Sequence, residues 1–444
     1  MSFKIVISII EFSTLSVIKR LKIIFQQSTL LKVSSFNSLS VIIKMITGLG
    51  VSKLTAIYLG PQGLALIGNL RNGLELFHKF SSGGLANAVV KYSAENKSKP
   101  KAFSLFLSTL VWFGLIACLI TMGIIFFFSE FINEFIFGSR DFVFIIRVMA
   151  FVLPLHVMNI YLISFLKGFS EFNKVIKINI ASHVLNLLLF AVLIFIIDLK
   201  GALLAVVLVP SAMLLFTLYH TKIHFGTLSS FSLNEFSSPM LKNLSQFAFM
   251  TLISSASFPL VFLGIRNFLI NSIGEIEAGY WESTLRISNY YLLFVLSLLN
   301  LYILPKLAEA HSKQQFRDII FSFYKQILPI FISGLLIVYV LRDWIVRLIF
   351  SEEFIPATDL FLWQMVGDFF RVLALVMVYQ FHAKKMMWHY ILTDLFLALS
   401  LYFSALYFIS KVGLQGVVIG HAITYIIYFS IILFLFRKPL IFNQ

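Results

Sequence analysis

The sequence predicts an all-α polytopic membrane protein: about twelve transmembrane helices in two six-helix lobes around a central cationic cleft. Three observations carry that expectation. Of 444 residues, 59% are hydrophobic and 12% charged, whereas soluble domains carry about 45–50% and about 25%. One folded core cannot absorb that excess, because surface scales too steeply with size. Apolar runs of bilayer length, rich in the 50 phenylalanines, recur from end to end. Lys and Arg are also spread unevenly over alternate connections, as in a chain threaded back and forth across a bilayer. The same composition excludes disorder, collagen and coiled coil.

Residues 1–33 form an N-terminal extension. It is apolar but interrupted by Lys4, Glu11, Lys19, Arg20 and Lys22, and it lacks a small-residue cleavage site. It reads either as an interfacial amphipathic helix or as sequence without a function. Twelve apolar stretches follow, at 34–58, 64–90, 102–128, 142–166, 175–197, 201–219, 244–270, 279–304, 319–341, 360–383, 390–409 and 414–436. They group as an N-lobe over 34–222, a Ser-rich linker over 223–243, and a C-lobe with a short tail over 244–444. With the N-terminus inside, twenty-one Lys and Arg fall on cytoplasmic segments and five on outer ones (Arg140, Lys200, Arg342, Arg347 and Lys411). That bias places both termini in the cytoplasm. It also absorbs most of the net charge of +15, so nucleic acid is not the expected partner.

Twelve spans with both ends inside divide into two halves related by an axis along the membrane normal. Similar short motifs precede spans four and ten (EFIFGSRD at 134–141, RLIFSEEF at 347–354). In the second span of each half a Gly precedes an Arg: Gly63 and Arg71, Gly279 and Arg286.

Ionisable residues inside spans should face a cavity or a partner, because lipid solvates them poorly. In span two Arg71, Glu75, His78 and Lys79 fall on one helix face. This stripe reads as cavity lining; the alternative is a structural Arg71–Glu75 pair. Span eight carries Glu282, Arg286 and Asn289 at the same spacing, and span ten carries Gln364, Asp368 and Arg371. An Asp368–Arg371 pair reads as structural. Lys44 lies near mid-membrane, where snorkelling is hardest, and is expected in the cavity. Lys53 and Arg266 lie nearer the outer end, where snorkelling is an equal alternative. Spans one, two, seven and eight together hold six cations against Glu75 and Glu282. Such a cleft favours an anionic substrate, and phosphate suits Arg and Lys donors.

Other signals carry less. His220 and His224 have metal-ligand spacing but no acid between them, so no metal is expected. Gly48-Leu-Gly50 lies inside a span rather than after a strand, so it is not a nucleotide loop. Cys118 stands alone, so no disulfide framework exists. No loop is long enough for a catalytic domain, which counts against a polysaccharide polymerase or glycosyltransferase. A drug or cation antiporter would want an acidic cleft. No cofactor is called for.

Residues 44–72 (KMITGLGVSKLTAIYLGPQGLALIGNLRN) resemble the first helix and second-helix opening of Wzx-type O-antigen translocases, in the multidrug/oligosaccharidyl-lipid/polysaccharide exporter superfamily. Residues 88–96 (AVVKYSAEN) and 341–368 (LRDWIVRLIFSEEFIPATDLFLWQMVGD) are similar to later family segments. The likeness covers about 29–438 and extends to flippases of the enterobacterial common antigen lipid; the first 28 residues have no counterpart. The resemblance implies two lobes with alternating access. It implies an inner-membrane flippase that moves an undecaprenyl-diphosphate-linked oligosaccharide, here an O-antigen repeat unit for lipopolysaccharide, to the periplasmic leaflet. A common-antigen unit is the alternative. The expected partners are that substrate, membrane lipids, and the polymerase and chain-length proteins that use the product. The family's cationic positions map to Lys44, Lys53, Arg71 and Arg266, and Lys91 matches a basic position at the cytoplasmic end of span two. Lys79 and Arg286 enter from the residues alone. Glu75, Glu282, Asp368 and Asp394 are the acids placed for ion coupling or for structure.

Overall fold

The computed structural model describes residues 29–138, 142–222, 237–384 and 386–441. The expectations for residues 1–28, for Arg140 and His224, and for most of the linker lie outside them. Among the described residues every regular element is helical. Among the described residues ten helices are long and apolar enough to cross a membrane. This is a multi-pass membrane protein.

Two of the ten are hairpins, which restores the count of twelve spans. Helix α1 (Thr29–Ser81) breaks at Gly60, with φ 62° and ψ −164°, a backbone state that glycine adopts without steric cost. Pro61 then opens the second arm, at a position that needs no N–H donor. Ser52 and Gly68 both reach the Glu282–Arg286 pair, although a straight helix would hold them about 24 Å apart. The chain therefore reverses at the break. After α2 (Ala86–Asn96), α3 (Pro100–Phe127), α4 (Ser129–Phe137) and α5 (Val143–Gly168), the helix α6 (Phe172–Thr221) repeats the device. Its break lies at Ile197 and Asp198, and Asp198 has φ 47°. The Leu193 carbonyl oxygen comes within 1.9 Å of where a Cβ on Gly201 would stand, so the two arms fold against each other.

The second half is built from α7 (Ser238–Ser272) and α8 (Glu275–Leu298), the latter extended by a π-helical turn and α9 (Leu304–Glu309). Then come α10 (Lys313–Val340), the short α11 (Arg342–Ile349), a 3₁₀ segment, α12 (Phe361–Ala383), α13 (Met387–Val412), α14 (Gln415–Leu435) and α15 (Arg437–Ile441). Ser312 and Gln315 cap the start of α10 reciprocally.

Most span boundaries fall within a few residues of those expected. The exception is span two. The chain leaves α1 at Ser81, turns through Gly83 and Gly84 with positive φ, and starts α2 at Ala86. The Ser81-Ser82-Gly83-Gly84 run is itself a turn signal, and the expected span carried through it to Val90.

Each half has its own apolar core. In the first, Leu66, Ile67 and Leu70 of α1 meet Ile145, Met149 and Leu153 of α5 and Phe190 and Ile194 of α6. In the second, Leu292 and Val295 of α8 meet Ile320, Val372, Val376 and Tyr425. The halves join near the α1 break, where Ala56 and Leu64 pack against Ile287, Val346, Phe350 and Phe361. Large apolar side chains on the outside, such as Leu119, Phe195, Leu336 and Phe403, stay exposed. Lipid is the solvent that tolerates such a surface.

Candidate functional site

The second arm of α1 presents Arg71, Glu75, His78 and Lys79 to a cavity of about 500 Å³. Its other walls come from Asn87 of α2, His156 of α5, Pro210 of α6 and Thr251 of α7. A second cavity of about 460 Å³ adjoins it. That one is bounded by Arg71 and Glu75 again, by Arg266 of α7, by Glu282, Arg286 and Asn289 of α8, and by Arg371 and His421. Arg71 and Glu75 border both, so the two cavities are parts of one cleft between the halves.

The arginines differ in what they touch. Arg266 is almost fully buried and donates to Glu282 at 2.5 Å and to the Asn69 side-chain oxygen at 3.0 Å. Arg286 donates to the other Glu282 oxygen at 3.0 Å and to the Ser52 hydroxyl at 3.0 Å. One carboxylate thus serves two guanidiniums, and each guanidinium also holds a neutral side chain of α1. Asn69 continues the chain of bonds by donating to the Asn267 side chain at 2.9 Å and to the Ile136 carbonyl at 2.8 Å. Gly68 makes room for this: a Cβ there would lie 2.7 Å from a Glu282 oxygen. The cluster ties α1 to α7 and α8.

Arg71 has no hydrogen-bond or ion-pair partner among the described residues, and neither does Lys79 or Glu75. The alternative of an Arg71–Glu75 pair is not what the side chains form. Arg71 sits at the junction of the two cavities with its five donors available. Four arginines face two glutamates around the second cavity, and one of those glutamates is shared by two of the arginines. The cleft is therefore electropositive, in surroundings where charge is screened less than in water.

The remaining sequence-predicted residues are dispersed. Lys53 donates to the carbonyls of Arg347 and Phe350, at 3.0 and 2.5 Å. It closes the C-terminal end of α11, where a cation is favourable. Lys44 is exposed on the first arm of α1 and borders neither cavity; its charge faces His183 of α6. Lys91 is exposed on α2, 5.1 Å from the ring centres of Tyr92 and of Phe247 on α7. Asp368 is fully buried and accepts from Ser288 at 2.6 Å, Tyr291 at 2.5 Å and Gln364 at 3.2 Å. His421 lies 3.2 Å and Arg371 3.9 Å from its other oxygen. It pins α8, α12 and α14 together. Asp394 is buried on α13 with one oxygen unpartnered among the described residues.

The sequence reading passed over Ser52, Asn69 and Asn267, because neutral side chains inside apolar runs leave no charge pattern. It passed over the pairing of His78 with His156, two helices apart.

With this geometry in view, the comparisons with known proteins decide the family. A model of the family described as polysaccharide biosynthesis protein matches residues 30–311. The chain belongs to that family. It is also 28% identical over 409 residues to the lipid III flippases of Escherichia coli (strain K12) and Shigella flexneri, covering 91% of this chain and 97% of theirs. Its fold is that of a multidrug resistance MATE family transporter of the MOP superfamily in an inward-facing conformation, with TM-score 0.76 and 17% identity over 91% of this chain and 96% of that one. Lipid II flippase MurJ in an inward closed conformation superposes with TM-score 0.69 and 16% identity, covering 92% and 90%. The relatives of this family member are flippases and transporters rather than enzymes.

Proposed function

We propose that this protein is a flippase that carries a prenyl-diphosphate-linked oligosaccharide from the cytoplasmic to the periplasmic leaflet of a bacterial inner membrane. The observation that supports it best is Arg71, unpaired among the described residues and facing two joined cavities, with Lys79 about two turns further along the same arm. An available guanidinium in a water-accessible, low-dielectric cleft suits a diphosphate, which it can grip through two parallel hydrogen bonds. A cation antiporter would need the opposite sign.

A third cavity suits the lipid tail. It measures about 650 Å³ and is walled by Val41, Ile42, Met45 and Leu49 of α1 and by Ile287 and Phe294 of α8, with α10 and α11 completing it. Its lining is mostly apolar, so a prenyl chain that enters it from lipid stays in apolar surroundings. In this reading the α1 break lies at the periplasmic side and both termini in the cytoplasm, as the bias of basic residues in the connections favours. In this reading 34–222 and 244–444 move as lobes, with 223–243 as linker. Opening to the periplasm then means parting Arg286 from Ser52 and Arg266 from Asn69. An inside-negative potential drives an anion outward by about 2.3 kcal/mol per charge per 100 mV.

The resemblance led to an O-antigen repeat unit as the load. The relatives matched over 91% of the chain carry the name lipid III flippase, which favours a common-antigen type of repeat. Either product would pass to a polymerase in the periplasm. Complementation tests both loads at once. The chain should restore common antigen in a strain lacking that flippase and leave the lipopolysaccharide ladder of an O-antigen flippase mutant absent. A restored ladder would reverse the choice of sugar. Failure of membrane-inserted protein in both strains would overturn the transport reading.

A further inference from the structure

Arg371 enters the second cavity from the opposite half of the molecule to Arg71. Arg71 stands on the second arm of α1 and Arg371 on α12, and both border the same space of about 460 Å³. Two other arginines border it, but they are closed in. The side chains of Arg266 and Arg286 are 2% and 7% exposed, and both bond to Glu282. The Arg371 side chain is 28% exposed.

In the sequence Arg371 reads as a structural partner of Asp368. The geometry gives that carboxylate other partners. Ser288, Tyr291 and Gln364 donate to one oxygen at 2.6, 2.5 and 3.2 Å, and the His421 Nε2 lies 3.2 Å from the other. An ionised carboxylate accepts about four hydrogen bonds, so Asp368 is satisfied without Arg371. A guanidinium nitrogen of Arg371 lies 3.9 Å away, within reach of the charge but beyond a hydrogen bond. Arg371 makes no hydrogen bond among the described residues. Its guanidinium carbon is 5.7 Å from the centre of the Tyr425 ring, a contact that steadies the group without using a donor. Arg371 is thus held by a charge and a ring face, and its N–H donors remain for what enters the cavity.

We infer that Arg371 is the second half's contribution to the diphosphate site: Arg71 holds one phosphate and Arg371 the other, so the bound load touches both halves of the molecule. The inference rests on the flippase reading. The two positions are not equivalent. Arg71 borders both cavities and makes no ion pair among the described residues, whereas Asp368 balances part of the Arg371 charge. A single phosphate therefore goes to Arg71, where less of the cation is offset, and only a second phosphate engages Arg371. Arg371 is then a specificity residue, which selects diphosphate-linked over monophosphate-linked sugars.

The test uses the full chain in lipid nanodiscs and two probes, a farnesyl-diphosphate hexose and a farnesyl-monophosphate hexose. Wild type should bind the diphosphate probe more tightly. Arg371→Gln should weaken that probe roughly 10–100-fold, as for loss of a charge-assisted bond, and leave the monophosphate probe within about twofold. Arg371→Met, similar in length, should behave alike. Loss of a distant charge acts in proportion to the charge of the ligand, so it would weaken the monophosphate probe by about half as many powers of ten. A disturbed site would weaken both probes alike. Either result, or no effect on either probe, would overturn the inference and leave the flippase reading standing. Equal wild-type affinity for the two probes would do the same. Unfolding of both variants would show that Asp368 needs Arg371, and would also overturn it. Wild-type protein that binds neither probe would overturn both readings.

Discussion

Arg71 on α1 and Arg286 on α8 border the same cavity, but Arg286 bonds to Glu282 together with Arg266, whereas Arg71 makes no hydrogen bond or ion pair among the described residues. The difference shows what a charge in a membrane span is for. A guanidinium with a carboxylate and a neutral acceptor is a fastener, because its desolvation is already offset. A guanidinium left open to a cleft keeps its donors for something that arrives. Both kinds count equally in a tally of cations along the sequence. Only the partner tells them apart.

Breaking the fastener should give the largest effect. In Glu282→Gln, Arg266 and Arg286 remain buried with no compensating charge, a situation that costs about 3–5 kcal/mol. Thermal unfolding in nanodiscs should show a clear loss of stability. An unchanged midpoint would mean that the two arginines are solvated from the cleft and that the comparison fails.

Arg71→Ala should do the reverse. It removes a cation that faces Arg286 and breaks no ion pair, so stability should move by no more than about 0.5 kcal/mol. Charge-assisted bonds to a phosphate contribute about 1.5–3 kcal/mol, so affinity for a prenyl-diphosphate sugar should fall roughly 10–100-fold. Complementation at native expression should fail. Wild-type function in this variant would remove the observation on which the transport reading rests.

The extent to which this was legible in the sequence follows from the same distinction. Hydropathy finds spans because bilayer thickness fixes their length, and the break between spans five and six fell within a residue of its expected place. The turn at Gly83-Gly84 was legible as a Ser-Ser-Gly-Gly breaker, but a bilayer-length hydropathy window averages over four residues and runs through it. Periodicity placed Arg71, Glu75, His78 and Lys79 on one face, since those residues share one helix and its geometry is fixed. It had no access to the Arg266–Glu282–Asn69 chain, which joins three spans, or to the 3.6 Å contact between His78 and His156. Such pairings depend on how helices cross, and a single chain's periodicity holds no information on that.

Lys53 sharpens the comparison at a middle scale. It is spent as a fastener, like Arg286, but on carbonyls at the end of α11 rather than on a carboxylate. Those bonds are partly open to solvent, so Lys53→Ala should cost about 1 kcal/mol. The loss should appear in the unfolding midpoint, with little change in probe affinity. A loss of affinity that matches Arg71→Ala would instead move Lys53 into the binding group.

Lys44 should give the smallest effect, and it sets the resemblance against the geometry most directly. By family pattern Lys44 is a substrate cation, in the same set as Arg71. In the structure it is exposed on the first arm of α1, borders neither polar cavity, and faces His183 across to α6. A lysine there can extend its ammonium along the apolar surface toward water. Lys44→Ala should therefore leave probe affinity and complementation near wild type and shift stability by no more than about 0.5 kcal/mol. Loss of transport with unchanged probe affinity would show that Lys44 meets the diphosphate in another conformation of the cycle, on its way in or out. Loss of affinity in this conformation would mean that position along α1, rather than access to the cleft, is what selects the binding cations.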